Sequence, residues 1–378
     1  MSKTDMTQDE KWMSRALSLA VKGMGHVSPN PMVGAVIVKN GQVIGEGYHE
    51  HIGELHAERN ALADCRRRGN DPEGADIYVT LEPCCHYGKT PPCTEALIEN
   101  KIGRVIYGMT DPNPLVAGKG LDILRNAGIR VDGPVLEEKC RETNRIFVHY
   151  IKTGLPYVIV KYAMTADGKI ATVTGDSKWI TCEESRKRSH GVRKLVSAIM
   201  AGVGTVLADD PMLNCRTDEG VDPVRVICDS NLRTPVDSQI VRTARETDTI
   251  IAYGASGDIS LSSRADELKS AGVRLWEIPR GEDDRLDVET LIRKLGEEGI
   301  DSILVEGGSE MHFSVCKTGF VSEVQAYIAP KIAGGRDAKP PVGGEGFRKL
   351  SDCLELGRPA KIELIGDDVL LVYRLGKE

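Results

Sequence analysis

The sequence predicts an α/β protein of two domains, on three observations. Helix-like and strand-like patterns alternate from end to end. The 378 residues are enough for two or three domains. A second alternating series begins near Leu155-Pro156, which places a boundary near residue 150 and gives domains of 1–150 and 151–378.

In the first series, Glu10 to Lys22 carries apolar residues at helical spacing (Trp12, Met13, Ala16, Leu17, Ala20, Val21). Met32 to Val38 and Gln42 to Tyr48 are strand-like, and Asn40-Gly41 between them is a hairpin signal. His56 to Arg68 reads as a helix, Asp76 to Leu81 as a strand, Thr94 to Lys101 as a helix and Arg104 to Met109 as a strand. Gly120 to Ala127 reads as a helix stopped by Gly128. In the second series, Tyr157 to Ala163 is a strand and Cys182 to Val196 a helix, with Thr181 and Glu184 placed as a capping box. Ala198 to Ala201, Val224 to Cys228, Thr249 to Tyr253 and Ser302 to Val305 read as strands, and Leu261 to Ala271 and Val288 to Gly296 as helices. Ala326 to Ile328 and Val369 to Leu375 are the closing strands, and Ala333 to Gly346 is a long loop.

Hydrophobic content of 40% and charged content of 28% exclude disorder, collagen and coiled coil as the main state. The formal charge of −7 argues against non-specific binding to duplex DNA or an anionic membrane. Ten cysteines, irregularly spread in a long chain, suit a reduced cytoplasmic setting. Met1 to Trp12 has no apolar core of a signal peptide. The longest low-polarity stretch, Leu195 to Ala208, is about 14 residues where about 20 span a bilayer, so no membrane partner is expected.

The first chemical constellation is His56-Ala57-Glu58 followed by Glu82-Pro83-Cys84-Cys85-His86-Tyr87-Gly88-Lys89-Thr90-Pro91-Pro92-Cys93. A catalytic zinc site takes three nitrogen or sulfur ligands from the protein and leaves a fourth position for water. His56, Cys84 and Cys93 meet that need, with Cys85 an alternative to Cys84. Glu58, two residues past the histidine, is placed to carry a proton between water and a leaving amine. His-x-Glu followed by Pro-Cys marks zinc deaminases of nucleobases, although here the second cysteine comes nine residues after the first. Without Glu58 the same ligands would read as a structural zinc knuckle.

This stretch, with its long spacer and Thr-Pro-Pro-Cys ending, resembles the deaminase half of bifunctional riboflavin biosynthesis deaminase/reductases. The resemblance implies a three-layer, cytidine-deaminase-like domain. It also implies that Asn30, within Ser28-Pro29-Asn30-Pro31, hydrogen-bonds the pyrimidine ring. His49, His86 and Lys89 match positions that contact the base or ribose phosphate, and Asp111 and Asn113 match the family's Asp-Pro-Asn-Pro loop. Cys85 is a departure, since serine is common there.

No Gly-x-Gly-x-x-Gly fingerprint follows a strand, which argues against a Rossmann dehydrogenase. Instead Lys161 to Ala171, Gly175 to Thr181, Gly202 to Pro211 and Leu213 to Arg216 follow the order of the same family's reductase half. Thr165-Ala166 departs from its common Ser-Leu. The resemblance implies a dihydrofolate-reductase-like fold that uses NADPH. Ala163, Trp179, Thr205, Asp209, Gly308 and Ser309 would lie at the cofactor. Ser177, Arg193, Leu213 and Arg216 would hold the substrate phosphate, and Glu306 would contact its ribose part.

The chain would then deaminate 2,5-diamino-6-ribosylamino-4(3H)-pyrimidinone 5′-phosphate. It would next reduce the ribosyl chain to give 5-amino-6-ribitylamino-uracil 5′-phosphate. Its partners would be these small phosphorylated pyrimidines, with no nucleic acid, and the family's habit of assembling through reductase domains implies a homo-oligomer. The alternative is a zinc deaminase of another base or nucleotide with a degenerate second domain.

Overall fold

The computed structural model describes residues 6–87, 91–114, 116–216, 220–255, 259–281 and 283–376. The chain divides into two compact units, Met1–Gly154 and Leu155–Glu378.

In the first unit, α1 (Gln8–Ala20) opens on a capping box. The Glu10 N–H donates to Thr7 Oγ1 at 3.2 Å, and the Thr7 N–H donates to Glu10 Oε2 at 2.8 Å. Strands β1 (Gly34–Lys39) and β2 (Gln42–Tyr48) form the expected hairpin, with Asn40 at φ 54° and Gly41 at φ 72°, as a type I′ turn requires. Then come α2 (Ala57–Arg67), β3 (Asp76–Val79), α3 (Cys93–Glu99), β4 (Arg104–Tyr107), α4 (Lys119–Asn126), β5 (Arg130–Asp132), α5 (Glu137–Thr143) and α6 (Arg145–Thr153). The sheet order is β2-β1-β3-β4-β5, antiparallel at β2-β1-β3 and parallel beyond.

Register makes this unit three-layered. Side chains alternate faces along a strand. A Cβ at Gly34 would lie 2.0 Å from the Ala16 carbonyl oxygen, so that face of β1 presses on α1. Ala35 pairs with Gly47 and Ile37 with Gly45 on the opposite face, where a Cβ at either glycine would strike the Ala61 backbone of α2. The helices therefore sandwich the sheet, and Met13, Ala16, Val36, Ile37, Ala61, Ile77 and Ile106 are fully buried between the layers.

In the second unit, β6 (Tyr157–Thr165), α7 (Glu183–Arg193), β7 (Ala198–Gly202), α8 (Val203–Asp209), β8 (Val224–Cys228), α9 (Gln239–Arg242), β9 (Thr249–Gly254), α10 (Ile259–Ser270), β10 (Arg274–Ile278), α11 (Val288–Glu297), β11 (Ser302–Gly307), α12 (Ser309–Lys317), β12 (Val321–Ala329), β13 (Lys361–Ile365) and β14 (Asp368–Arg374) succeed one another. The sheet runs β10-β9-β8-β7-β11-β6-β12-β14-β13, parallel as far as β12 and antiparallel at β14 and β13. Tyr157–Val160 of β6, Ala198–Ala201 of β7 and Ile303–Val305 of β11 are uninterrupted apolar runs, buried at successive residues and so covered on both faces of the sheet.

The expected capping box at Thr181 does not form. Helix α7 starts one residue later, from Cys182, with no side-chain cap. Asp368 Oδ2 instead accepts from the Cys182 N–H at 2.8 Å, and Arg186 Nη1 donates to the Thr181 carbonyl at 2.7 Å. Among the described residues, no helix is long and apolar enough to cross a membrane.

Candidate active sites

His56 is the residue from which α2 departs, and Cys93 is the first residue of α3. Between the two helices, His56 Nδ1 lies 3.4 Å from Cys84 Sγ and 3.4 Å from Cys93 Sγ. Such spacings match the edges of a tetrahedron whose arms are about 2.0–2.3 Å, the zinc–nitrogen and zinc–sulfur lengths. The donor set therefore fits zinc, and among the described residues Cys85 is not part of the cluster. Arg59 holds the helices in this relation, its guanidinium donating to the carbonyls of Pro91 at 3.2 Å and Pro92 at 2.9 Å. The Cys93 N–H donates to Cys84 Sγ at 3.3 Å. The Cys84 thiol falls to about 4, chiefly through its hydrogen bond with Cys93 and with help from His56. The Cys93 thiol rises through the same bond and through burial.

Glu58 follows on the first turn of α2 and is 3% exposed. Burial pushes its carboxyl up to about 7, the Cys84 charge adds to the rise, and His56 opposes it. A carboxyl poised near neutrality can both accept and release a proton.

A cavity of about 400 Å³ opens over these groups, lined by Asn30, His49, His56, Glu58, Cys84, His86, Asp111 and Asn113 among others. Every deaminase residue expected from the sequence lies on it except Cys93, buried behind, and Lys89, which falls outside the described residues. Asn30 Nδ2 is 3.2 Å from His49 Nε2, and His49 Nδ1 is 3.2 Å from the Leu55 carbonyl. The carbonyl can only accept and the amide nitrogen can only donate, so His49 is the Nδ1–H tautomer. Burial lowers its pKa. Asp111 is raised to about 6, first by burial and, among charges, chiefly by Glu82.

Three parts of this site were not expected. Glu82 opens the Pro-Cys motif, and its residue type and spacing assign it no chemistry. It is 2% exposed, and its carboxylate accepts backbone N–H groups of Gly118 at 2.9 Å, Gly120 at 3.0 Å and Asp111 at 3.3 Å. Phe147, Tyr150 and Ile151 of α6 form a wall of the cavity, and the third part is Arg59, through its bonds to the Pro91 and Pro92 carbonyls. The signal for Glu82 in the sequence is an acidic residue set between apolar Leu81 and Pro83 at the end of a strand-like run.

In the second unit, a charged cluster stands where β11 ends beside the middle of β6. Arg193 donates to Glu306 through Nε at 3.0 Å and Nη2 at 2.6 Å, and through Nη1 to the Asn214 carbonyl at 2.8 Å. Two of its five N–H groups are left for another acceptor. Lys161 Nζ lies 3.8 Å from Glu306 Oε2. Burial works to raise the Glu306 carboxyl, but Lys161 and Arg193 outweigh it and hold it at about 2. His190 is partly buried beside them, and its pKa falls through burial and then through the charges of Arg193 and Arg216. The signal for Lys161 in the sequence is a lone charge that follows the apolar run Tyr157-Val158-Ile159-Val160.

Leu213, at φ 49°, is buried within the segment tied to Arg193, while Arg216 is exposed and Ser177 half-buried. Of the residues expected at the cofactor, Thr205 and Gly308 come together. A Cβ on Gly307 or Gly308 would lie 3.3 or 3.7 Å from Thr205 Oγ1, so the glycines leave an open cradle beside it. Gly308 is the N-cap of α12 with no side-chain cap, and Ser309 is its first residue. Backbone amides there are free to face an anion, so the cradle fits a dinucleotide phosphate. Trp179 is exposed with the Arg186 guanidinium 4.4 Å from its ring, Asp209 lies 4.0 Å from Lys178 Nζ, and Ala163 packs near Tyr327.

Residues 156–371 match the family model of the RibD C-terminal domain, and residues 6–109 match the cytidine and deoxycytidylate deaminase zinc-binding region. The chain belongs to the RibD family. The riboflavin biosynthesis protein RibD of Actinobacillus pleuropneumoniae is 51% identical over 97% of this chain and 95% of its own. That of Bacillus amyloliquefaciens is 43% identical over 96% and 95%. The crystal structure of a diaminohydroxyphosphoribosylaminopyrimidine deaminase/5-amino-6-(5-phosphoribosylamino)uracil reductase from Thermotoga maritima superposes with a TM-score of 0.84, at 38% identity, covering 97% of this chain and 98% of that one. Like the rest of the family, the chain is a bifunctional enzyme of riboflavin biosynthesis, a zinc-dependent deaminase followed by an NADPH-dependent reductase.

Proposed function

We propose that the two sites act in succession on one phosphorylated pyrimidine. The first removes the 2-amino group of 2,5-diamino-6-ribosylamino-4(3H)-pyrimidinone 5′-phosphate as ammonia. The second reduces the ribosyl chain to ribityl, giving 5-amino-6-ribitylamino-uracil 5′-phosphate. The observation that carries this reading is the convergence of His56, Cys84 and Cys93 beside a buried Glu58, in a cavity also lined by Asn30, His49, Asp111 and Asn113.

His56, Cys84 and Cys93 would hold zinc, which when bound supplies the Lewis acidity that activates water at neutral pH. The Glu58 carboxylate takes one proton from the attacking water and gives it to the ring nitrogen, then takes the second from the hydroxyl now on the ring carbon and gives it to the amine, whose C–N bond breaks as the carbonyl forms. One water is consumed and one ammonia leaves. Asn30 and His49 face the ring from the cavity wall, His86, Asp111 and Asn113 line the cavity around the rest of the substrate, and Lys89 is assigned to the base or ribose phosphate by family resemblance alone.

In the second domain, Thr205, Gly308 and Ser309 form the cradle for NADPH, with Ala163, Trp179 and Asp209 completing its contacts. The cofactor supplies the hydride. Arg193, Arg216, Ser177 and the Leu213 backbone would hold the substrate phosphate, with Glu306 toward its ribose. Ten free thiols and the acidic charge support a cytoplasmic enzyme that binds no nucleic acid. We read it as a homo-oligomer by analogy with its family.

The test supplies the diaminopyrimidinone ribosyl phosphate to zinc-loaded protein, then NADPH, and follows ammonia and the loss of absorbance from NADPH. Both signals are expected, in that order. Glu58→Gln should lower ammonia release by about 10²–10⁴-fold while reduction of the deaminated compound continues. Ammonia release by Glu58→Gln at the wild-type rate would sink the mechanism.

A further inference from the structure

Two walls of the deaminase cavity come from distant parts of the chain. Pro29, Asn30 and Pro31 lie on the turn before β1, and Phe147, Tyr150 and Ile151 lie on α6. One side chain joins them. Asn144, at the junction of α5 and α6, is 2% exposed. The Met32 N–H donates to Asn144 Oδ1 at 2.8 Å, and Asn144 Nδ2 donates to the Met32 carbonyl at 3.0 Å. The carboxamide thus pairs with both backbone groups of Met32, as a neighbouring strand would, across 112 residues of sequence.

The main chain of Asn144 is committed as well. Its N–H donates to the Cys140 carbonyl at 3.1 Å, and its carbonyl accepts from the Val148 N–H at 2.8 Å. The residue is therefore fixed to both helices by its backbone and to the turn by its side chain. Met32 stands two residues from Asn30, whose amide reaches His49 in the cavity. Among side chains of this size, only a carboxamide sets a donor beside an acceptor. Aspartate would keep the acceptor and turn lone pairs on the Met32 carbonyl; leucine would supply neither.

We propose that Asn144 is a positioning residue for substrate binding by the deaminase, setting the Asn30 turn against α6 so that the pyrimidine meets a cavity already shaped. The inference rests on the deaminase reading above. Asn144 has no hydrogen bond to His56, Glu58, Cys84 or Cys93 among the described contacts. Its effect is therefore expected on binding common to ground and transition states, which appears in KM and not in kcat.

The experiment uses full-length, zinc-loaded wild type, Asn144→Asp and Asn144→Leu, each assayed for both activities. Asn144→Leu should raise the deaminase KM about tenfold, equal to about 1.4 kcal/mol. Its kcat should stay within about twofold of wild type. Asn144→Asp should raise KM by less, and neither substitution should alter reduction of the deaminated compound. If Asn144→Leu does not fold, the same separation of KM from kcat is sought in Asn144→Asp. An unchanged KM, a fall in kcat at constant KM, or a loss of zinc overturns the proposal. Absence of ammonia from the wild type would instead overturn the deaminase reading, and this inference with it.

Discussion

Replacing Glu82 by glutamine exchanges one carboxylate oxygen for an NH₂ group. Three backbone amides, those of Asp111, Gly118 and Gly120, now donate to that carboxylate at 2.9–3.3 Å. Whichever way the new amide faces, at least one N–H meets a donor where it had an acceptor. With the Oε1 position lost, Gly120 is orphaned; with Oε2 lost, Asp111 and Gly118 are. The site is 2% exposed, so water cannot readily substitute. One such orphan costs about 1–3 kcal/mol. For a unit of this size that lowers the midpoint by about 2–12 °C. The same bonds fix the start of the segment bearing Asp111 and Asn113 on the cavity, so the deaminase KM should rise as well. Scanning calorimetry of the full chain and steady-state kinetics of both activities would measure these effects, with the reductase as the internal reference. A midpoint within about 1 °C of wild type together with an unchanged KM would refute the assignment of Glu82 as the anchor of this loop.

Two further outcomes are expected. Cys84→Ala should reduce bound zinc well below about one per chain, measured by atomic emission, and abolish ammonia release while reduction of the deaminated compound persists. Glu306 has its carboxyl held at about 2, below its ordinary 4.5, by Lys161 and Arg193. Its stabilising contribution is therefore complete above pH 4.5 and lost as the pH falls toward 2. Acid unfolding of wild type and Glu306→Gln should show a stability difference that shrinks across that window, and a difference independent of pH would contradict the ion-pair account.

Much of the fold was legible because its strands are buried on both faces or end in a decisive turn. Val36, Ile37, Ile159 and Ile199 declare themselves by composition, and Asn40-Gly41 by the positive φ that it accepts. Other elements carried weak signals. Strand β13 is an edge strand with Ile362 and Leu364 outward, so its alternation points away from a core. Strand β5 has only three residues. Helices α5 and α6 abut at Asn144, so neither is long enough to establish a helical period by itself. At Thr181 the local pattern misled, because Asp368, 186 residues away, captures the amide that sets the start of α7.

The chemistry divides along the same line. The sequence alone determined a histidine, a glutamate two residues on and two cysteines with a fixed spacer, because ligand type and short spacing are local properties of a chain. It also determined which residues were candidates for NADPH and phosphate, through order and family likeness. Only the tertiary structure decided that Cys84, and not its neighbour Cys85, stands 3.4 Å from His56. Only it paired Arg193 with Glu306, and Asn144 with Met32, across 113 and 112 residues. Such contacts depend on where distant segments cross, and a hydrogen bond formed there leaves no period or spacing in the sequence on either side.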